Sequence, residues 1–111
     1  METIKLNRLS DNQLCVTIYT LDKEVVNPEA MWLKIYLRCG DRKFVAVNDP
    51  RGNSLRCHIE NGKLLVDIPG KSLPPGELEL MAEVRESSPH FADGYKNIFS
   101  TQYQPINIEL V

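Results

Sequence analysis

Residues 55–68 read Leu55-Arg56-Cys57-His58-Ile59-Glu60-Asn61-Gly62-Lys63-Leu64-Leu65-Val66-Asp67-Ile68. Leu55, Cys57 and Ile59 alternate with Arg56 and His58, and Leu64, Val66 and Ile68 resume the period of two after Asn61-Gly62. Asn-Gly between two alternating runs predicts a two-residue type I′ hairpin, because both central residues take positive φ and the turn's twist matches the strands. A one-residue slip would exchange the buried and solvated faces of both strands, so the register is firm.

The same period runs outward in both directions, and helical periodicity is weak. Upstream, Trp32 to Cys39 is the cleanest strand: Leu33, Ile35, Leu37 and Cys39 make one face, and Trp32, Lys34, Tyr36 and Arg38 the other. Gly40-Asp41-Arg42 turns it into Lys43 to Val47, and Asn48 to Asn53 is dense in turn formers, an exposed loop. Nearer the N-terminus, Ile4 to Leu9 and Gln13 to Thr20 read as strands, with Leu14, Val16 and Ile18 inward and Cys15 outward. Asn27-Pro28-Glu29-Ala30 breaks the pattern and suits one short helical turn, since Pro fits a first helical position.

Downstream, Pro69-Gly70 through Pro74-Pro75-Gly76 forms a rigid connector. Leu78, Leu80, Ala82 and Val84 then face inward against Glu77, Glu79, Glu83 and Arg85, and Ile106, Ile108 and Leu110 close the chain. Strands with one solvated face pair antiparallel. The expectation is an all-β, antiparallel immunoglobulin-like β-sandwich of about 7–8 strands, formed by residues 1–111 as a single domain.

Composition narrows the function classes. The chain has 111 residues, 42% hydrophobic and 25% charged, ordinary for one folded domain. A net charge of −2 supplies no electrostatic reason to bind nucleic acid or an anionic membrane, and no apolar run approaches a membrane span. The N-terminal METIKLNRLSDNQL lacks the apolar core of a secretory signal, so synthesis in the cytoplasm is expected. Cys15, Cys39 and Cys57 match no metal or redox spacing and read as reduced thiols, although a disulfide between two of them stays open.

Catalytic residues are sparse. His58 lies on an outward strand face and His90 in a loop, and no HExxH, GxSxG or phosphate-binding glycine loop is present. No enzyme, cofactor or metal is expected. Two features instead suit partners. The outward face Trp32, Lys34, Tyr36, Arg38 interleaves rings and cations, either to cover a half-exposed sheet or to bind, since Trp, Tyr and Arg concentrate at hot spots. Residues 87–105 form a segment too long for a structureless loop and carry Phe91, Tyr95, Phe99 and Tyr103. One helical turn or two would align these rings, yet Asp93-Gly94 interrupts a continuous helix. The segment either folds back as a loop over an open end of the sandwich, anchored by its own rings, or docks a neighbouring subunit. Both readings hold together if some rings face inward and others outward.

The order of motifs adds a resemblance. Cys39-Gly40-Asp41, Asp49-Pro50, Asn61-Gly62-Lys63-Leu64, Pro74-Pro75-Gly76-Glu77-Leu78, Phe91-Ala92-Asp93-Gly94-Tyr95 and Ile108-Glu109-Leu110-Val111 follow one another. Together, from Gln13 to Val111, they resemble the small immunoglobulin-like virion structural proteins of tailed bacteriophages and prophages of gut bacteria. They are also similar to the N-terminal module of phage baseplate upper proteins. The resemblance implies a non-enzymatic virion protein, an assembly or attachment adaptor of the tail baseplate, tail fibre or head fibre. That module normally continues into a trimeric fibrous part, whereas this sequence ends at Val111, which favours the adaptor role over receptor binding. Its implied partners are other virion proteins and further copies of itself, as a trimer or dimer, through Trp32, Tyr36, Arg38, Phe91, Tyr95, Phe99 and Tyr103. The alternative is a carbohydrate-binding β-sandwich module in which Trp32 and Tyr36 stack on a glycan.

Overall fold

The computed structural model describes residues 3–111. Met1 and Glu2, with which the leaderless N-terminal reading begins, lie outside the described residues. Among those described the secondary structure is all β, with nine strands: β1 (Ile4–Leu6), β2 (Asn12–Val16), β3 (Trp32–Cys39), β4 (Arg42–Asn48), β5 (Cys57–Glu60), β6 (Lys63–Ile68), β7 (Gly76–Ser87), β8 (Tyr95–Ser100) and β9 (Gln104–Leu110). Six form one sheet in the order β1-β9-β7-β3-β4, with β8 also on β7; β2-β6-β5 form the other. The two sheets enclose one core, to which β3 gives Leu33, Ile35 and Leu37, β6 gives Leu64 and Val66, and β7 gives Leu78 and Val84. The architecture is therefore a sandwich-like pair of mostly antiparallel sheets.

The hairpin expected at residues 55–68 is present. Asn61 and Gly62 both take positive φ, 51° and 75°, and Glu60 pairs with Lys63, which is the type I′ geometry. Trp32–Cys39 alternates half-buried and buried along its whole length, as read from the sequence. Its neighbours β4 and β7 are both antiparallel to it, so β3 is a central strand.

Several boundaries differ from the sequence reading, each for a local reason. The first strand stops at Leu6, because the Asn7 Oδ1 accepts the Leu9 N–H at 3.0 Å and folds the chain into a turn. It pairs parallel with β9, the one departure from antiparallel pairing among the described strands; first and last strands have the whole chain between them for the crossover a parallel pair needs. Asn27–Ala30 is a turn without a helix, held by the Asn27 Oδ1 accepting the Glu29 N–H at 3.0 Å. Asn48 is buried at 3% exposure and not part of the exposed loop. Its side-chain amide donates to the carbonyls of Pro28 and Met31 at 2.6 and 3.0 Å. Leu55 points out, at 49% exposure, because Arg56 adopts φ 58° and breaks the alternation between Leu55 and Cys57.

The largest difference lies in residues 87–105. No helical turn forms there; Tyr95–Ser100 is a ninth strand, antiparallel to β7. Residues 88–94 are the hairpin loop, with Gly94 at φ 79°. Pairing passes from Arg85↔Asn97 to Val84↔Phe99, so Ile98 is an extra residue and the strand bulges.

Candidate functional site

The bulge decides which rings share a face. Four residues apart on a regular strand, Tyr95 and Phe99 would point the same way. The extra residue reverses the alternation, so Tyr95 lies on the outer face beside Trp32, whereas Phe99 packs against the core. Phe91 stands on the β7–β8 loop at 49% exposure. Tyr103, half-buried between β8 and β9, meets Arg38 of β3. Of the sequence-derived candidates, Trp32, Tyr36, Arg38, Tyr95 and Tyr103 thus belong to one outer surface, Phe91 lies in the loop beyond β7, and Phe99 supports the interior.

That surface is an alternating ladder of rings and guanidinium groups. The Trp32 and Tyr95 centroids are 6.0 Å apart at 43°. Arg85 lies 4.4 Å from the Trp32 ring centre, Arg51 lies 4.2 Å from that of Tyr95, and Arg38 lies 3.9 Å from that of Tyr103. Lys34 stands 5.0 Å from the centre of Tyr36. Such contacts contribute about 0.5–1 kcal/mol each when exposed and more when desolvated. A cation occupies one face of each of these rings.

Carboxylates from β7 and from the loop after β4 fix the ladder. Arg38 donates through Nε and Nη2 to the Glu79 Oε1, at 3.1 and 3.0 Å. The Tyr36 hydroxyl donates to Glu83 at 2.7 Å, and the Tyr95 hydroxyl donates to Asp49 at 2.8 Å. Burial, and then these carboxylate acceptors, push both phenols above their ordinary range, so both stay protonated and keep donating. Arg51 also donates to the Gly94 carbonyl at 3.0 Å and to the Ser87 hydroxyl at 3.3 Å, locking the Asp49–Pro50 loop onto the β7–β8 loop. Arg85 is held less tightly, 3.7 Å from Glu83 and 3.6 Å from Asp93, with its Nε buried and lacking an acceptor.

The sequence pattern does not reveal Asp49, Arg51 and Arg85 as part of this surface. Asp49 and Arg51 sit in a run that turn chemistry alone accounts for, and only the β3–β7–β8 pairing brings Arg85 over Trp32. Once β7 is placed beside β3, the alternation of Glu79, Glu83 and Arg85 opposite Arg38, Lys34 and Trp32 explains the ladder.

A second polar cluster lies on the outer face of the small sheet. His58 Nδ1 is 2.6 Å from Asp67 and Nε2 is 3.0 Å from Glu60, while the Gln13 amide donates to the other Asp67 oxygen at 2.9 Å. The Asp67 contact, and then Glu60, raise the His58 pKa. With one carboxylate on each ring nitrogen, these groups do not converge on a single ion, and among the described residues no set of three His, Cys, Asp or Glu could hold a metal. Cys39 and Cys57 are buried thiols donating to the Pro74 and Val47 carbonyls, and burial pushes both pKa values up; Cys15 is exposed, and none of the three is in a disulfide.

No known family model, curated protein or solved structure matches the chain.

Proposed function

We propose that this chain is an immunoglobulin-like virion structural protein without enzymatic activity, an adaptor that attaches the tail baseplate, tail fibre or head fibre of a bacteriophage. It works in the assembled particle as a dimer or trimer in contact with other virion proteins. The observation that carries the assembly reading is the outer ladder of β3, β7 and β8. Trp, Tyr and Arg dominate binding hot spots, and here Trp32, Tyr36, Tyr95, Arg38 and Arg51 are pre-set by their ring, carboxylate and cation neighbours. Side chains already held in place lose less conformational entropy on docking. Phe91, exposed in the β7–β8 loop, adds an apolar anchor. The phage assignment is supported by the motif order from Cys39-Gly40-Asp41 to Ile108-Glu109-Leu110-Val111.

The test is incorporation. Particles purified from a lysogen that encodes the chain should contain it in stoichiometric amount by mass spectrometry. The double variant Trp32→Ser/Phe91→Ser should fold, by its circular dichroism, yet fall at least about tenfold in incorporation, the loss of one hot-spot contact of about 1.4 kcal/mol or more. Particles that assemble normally without the chain would overturn the virion reading. A double variant incorporated as well as the native chain would overturn the assignment of this face.

A further inference from the structure

On one flank of the molecule the two sheets part. Among the described residues β1 is an edge of the large sheet and β2 an edge of the small one, and no backbone pairing joins them. Between them runs an open groove of about 690 Å³. Its apolar lining includes Ile4 of β1, Val16 and Ile18 on the β2 side, Leu80 of β7, and Ile106 and Ile108 of β9. The polar residues along it, among them Gln13, Thr17, Thr101 and Gln104, are uncharged. Ile4 is 59% exposed and Tyr19, at the groove's end, 58%.

We infer that this groove is a docking site for an extended, uncharged strand of alternating apolar residues donated by another protein. Three observations select that occupant. An edge strand presents a row of backbone donors and acceptors, which a strand laid alongside β2 would satisfy. The floor between the sheets is apolar, so every second side chain of the incoming strand would be an aliphatic one facing it. A lining without charge gives nothing to neutralise an acidic or basic segment, whose desolvation would go uncompensated. A second folded copy fits less well. Its own edge strand arrives attached to a sheet, so it could pair with β2 yet leave the floor between the sheets uncovered. This site is separate from the outer ladder, and either assignment can fail without the other.

The test is a titration of the full chain with the capped, uncharged peptide Gln-Thr-Val-Thr-Val-Thr-Val-Gln, with a control carrying Glu in place of each Val. Amide exchange is followed by NMR. The Val peptide should slow, by at least about tenfold, the β2 amides that point away from β6, while β5 amides are unchanged. Ile106→Lys, a charge on the floor, should weaken binding at least about tenfold. Ile4→Lys, at a position already exposed, serves the same purpose should the first variant fold poorly. No protection at saturating Val peptide, equal protection by the Glu control, or full binding by the folded Lys variant would each overturn the inference. So would protection of the same β2 amides in the free protein that rises with its own concentration, which would make a second copy the occupant.

Discussion

The two flanks of the sandwich begin alike, with one edge of each sheet facing the other, and end differently. On the β4–β5 flank the sheets are stitched together. Val47 and Leu55 exchange backbone hydrogen bonds of 2.9 and 2.8 Å, the Cys57 thiol donates to the Val47 carbonyl at 3.0 Å, and Arg56 donates to the Val45 carbonyl at 3.2 Å while covering Phe44. The left-handed conformation of Arg56 turns Leu55 toward β4 and lets this seam close. On the β1–β2 flank the chain turns through residues 7–11, with the Lys71 N–H donating to Arg8 and the Gly70 N–H to Asp11, but among the described residues no backbone pairing joins the two strands beyond that corner. The closed flank thus carries a left-handed residue next to its backbone bridge, whereas on the open flank apolar side chains such as Ile4 reach solvent.

The largest effects should separate the enclosed interior from the open groove. Leu37 is fully buried between β4 and β7, so Leu37→Ala removes apolar contacts and leaves a cavity, at a cost of about 2–5 kcal/mol. Leu80 lies on the same strand face as Leu78 but borders the groove, packed against the core and only partly buried. Leu80→Ala should cost less than about half as much, because the site was never fully dry. Urea unfolding of both variants measures the difference. Equal losses would show that the two flanks are equally sealed.

A middle-sized effect is expected beside the closed seam. Asn48 follows Val47 and ties the end of β4 to the Pro28 and Met31 carbonyls. Asn48→Ala strands buried acceptors and should destabilise by about 1–3 kcal/mol. Asn48→Asp should do no better, since a carboxylate cannot donate to two carbonyls. A midpoint unchanged in either variant would mean that the seam stands without this anchor.

How much of this could be read from residues is itself uneven between flanks. The central strands were legible because alternation reports a half-buried face directly, as in Leu33 to Cys39, and Asn61-Gly62 names its own turn. The seam was not, because an arginine at positive φ has no sequence signature, and Leu55 keeps its place in the alternation while its side chain faces water. The ninth strand escaped for a related reason. The bulge at Ile98 puts Tyr95 and Phe99 on opposite faces, so no single period describes Tyr95–Ser100. Ring-bearing candidates such as Trp32 and Tyr36 were visible as a face, whereas Asp49, Arg51 and Arg85 join it only through pairings made across the sheet. The parallel β1–β9 pair, and with it the groove, depends on where the first and last strands meet, which local pattern cannot supply.

The smallest predicted effect concerns the polar chain that crosses the small sheet between the two flanks. His58 on β5, Asp67 on β6 and Gln13 on β2 are joined in series, with Gln13 reaching the groove's rim. Because Asp67 and then Glu60 favour the imidazolium, the folded-state pKa of His58 lies above the ordinary value of 6.5. The sign follows: the unfolded chain holds this proton less tightly, so the stabilisation is fully present below pH 6.5 and is lost as pH rises through the folded-state value. The side chains are more than a third exposed, so solvent screens the pair and the loss is slight. NMR titration of the His58 ring should give a midpoint above 6.5 that falls on Asp67→Asn, and thermal unfolding of that variant should vary less across the same pH range. A midpoint that ignores Asp67→Asn would mean the 2.6 Å contact does not hold in solution, and the small sheet would then rely on its backbone ladder alone to keep β2, and the groove beside it, in place.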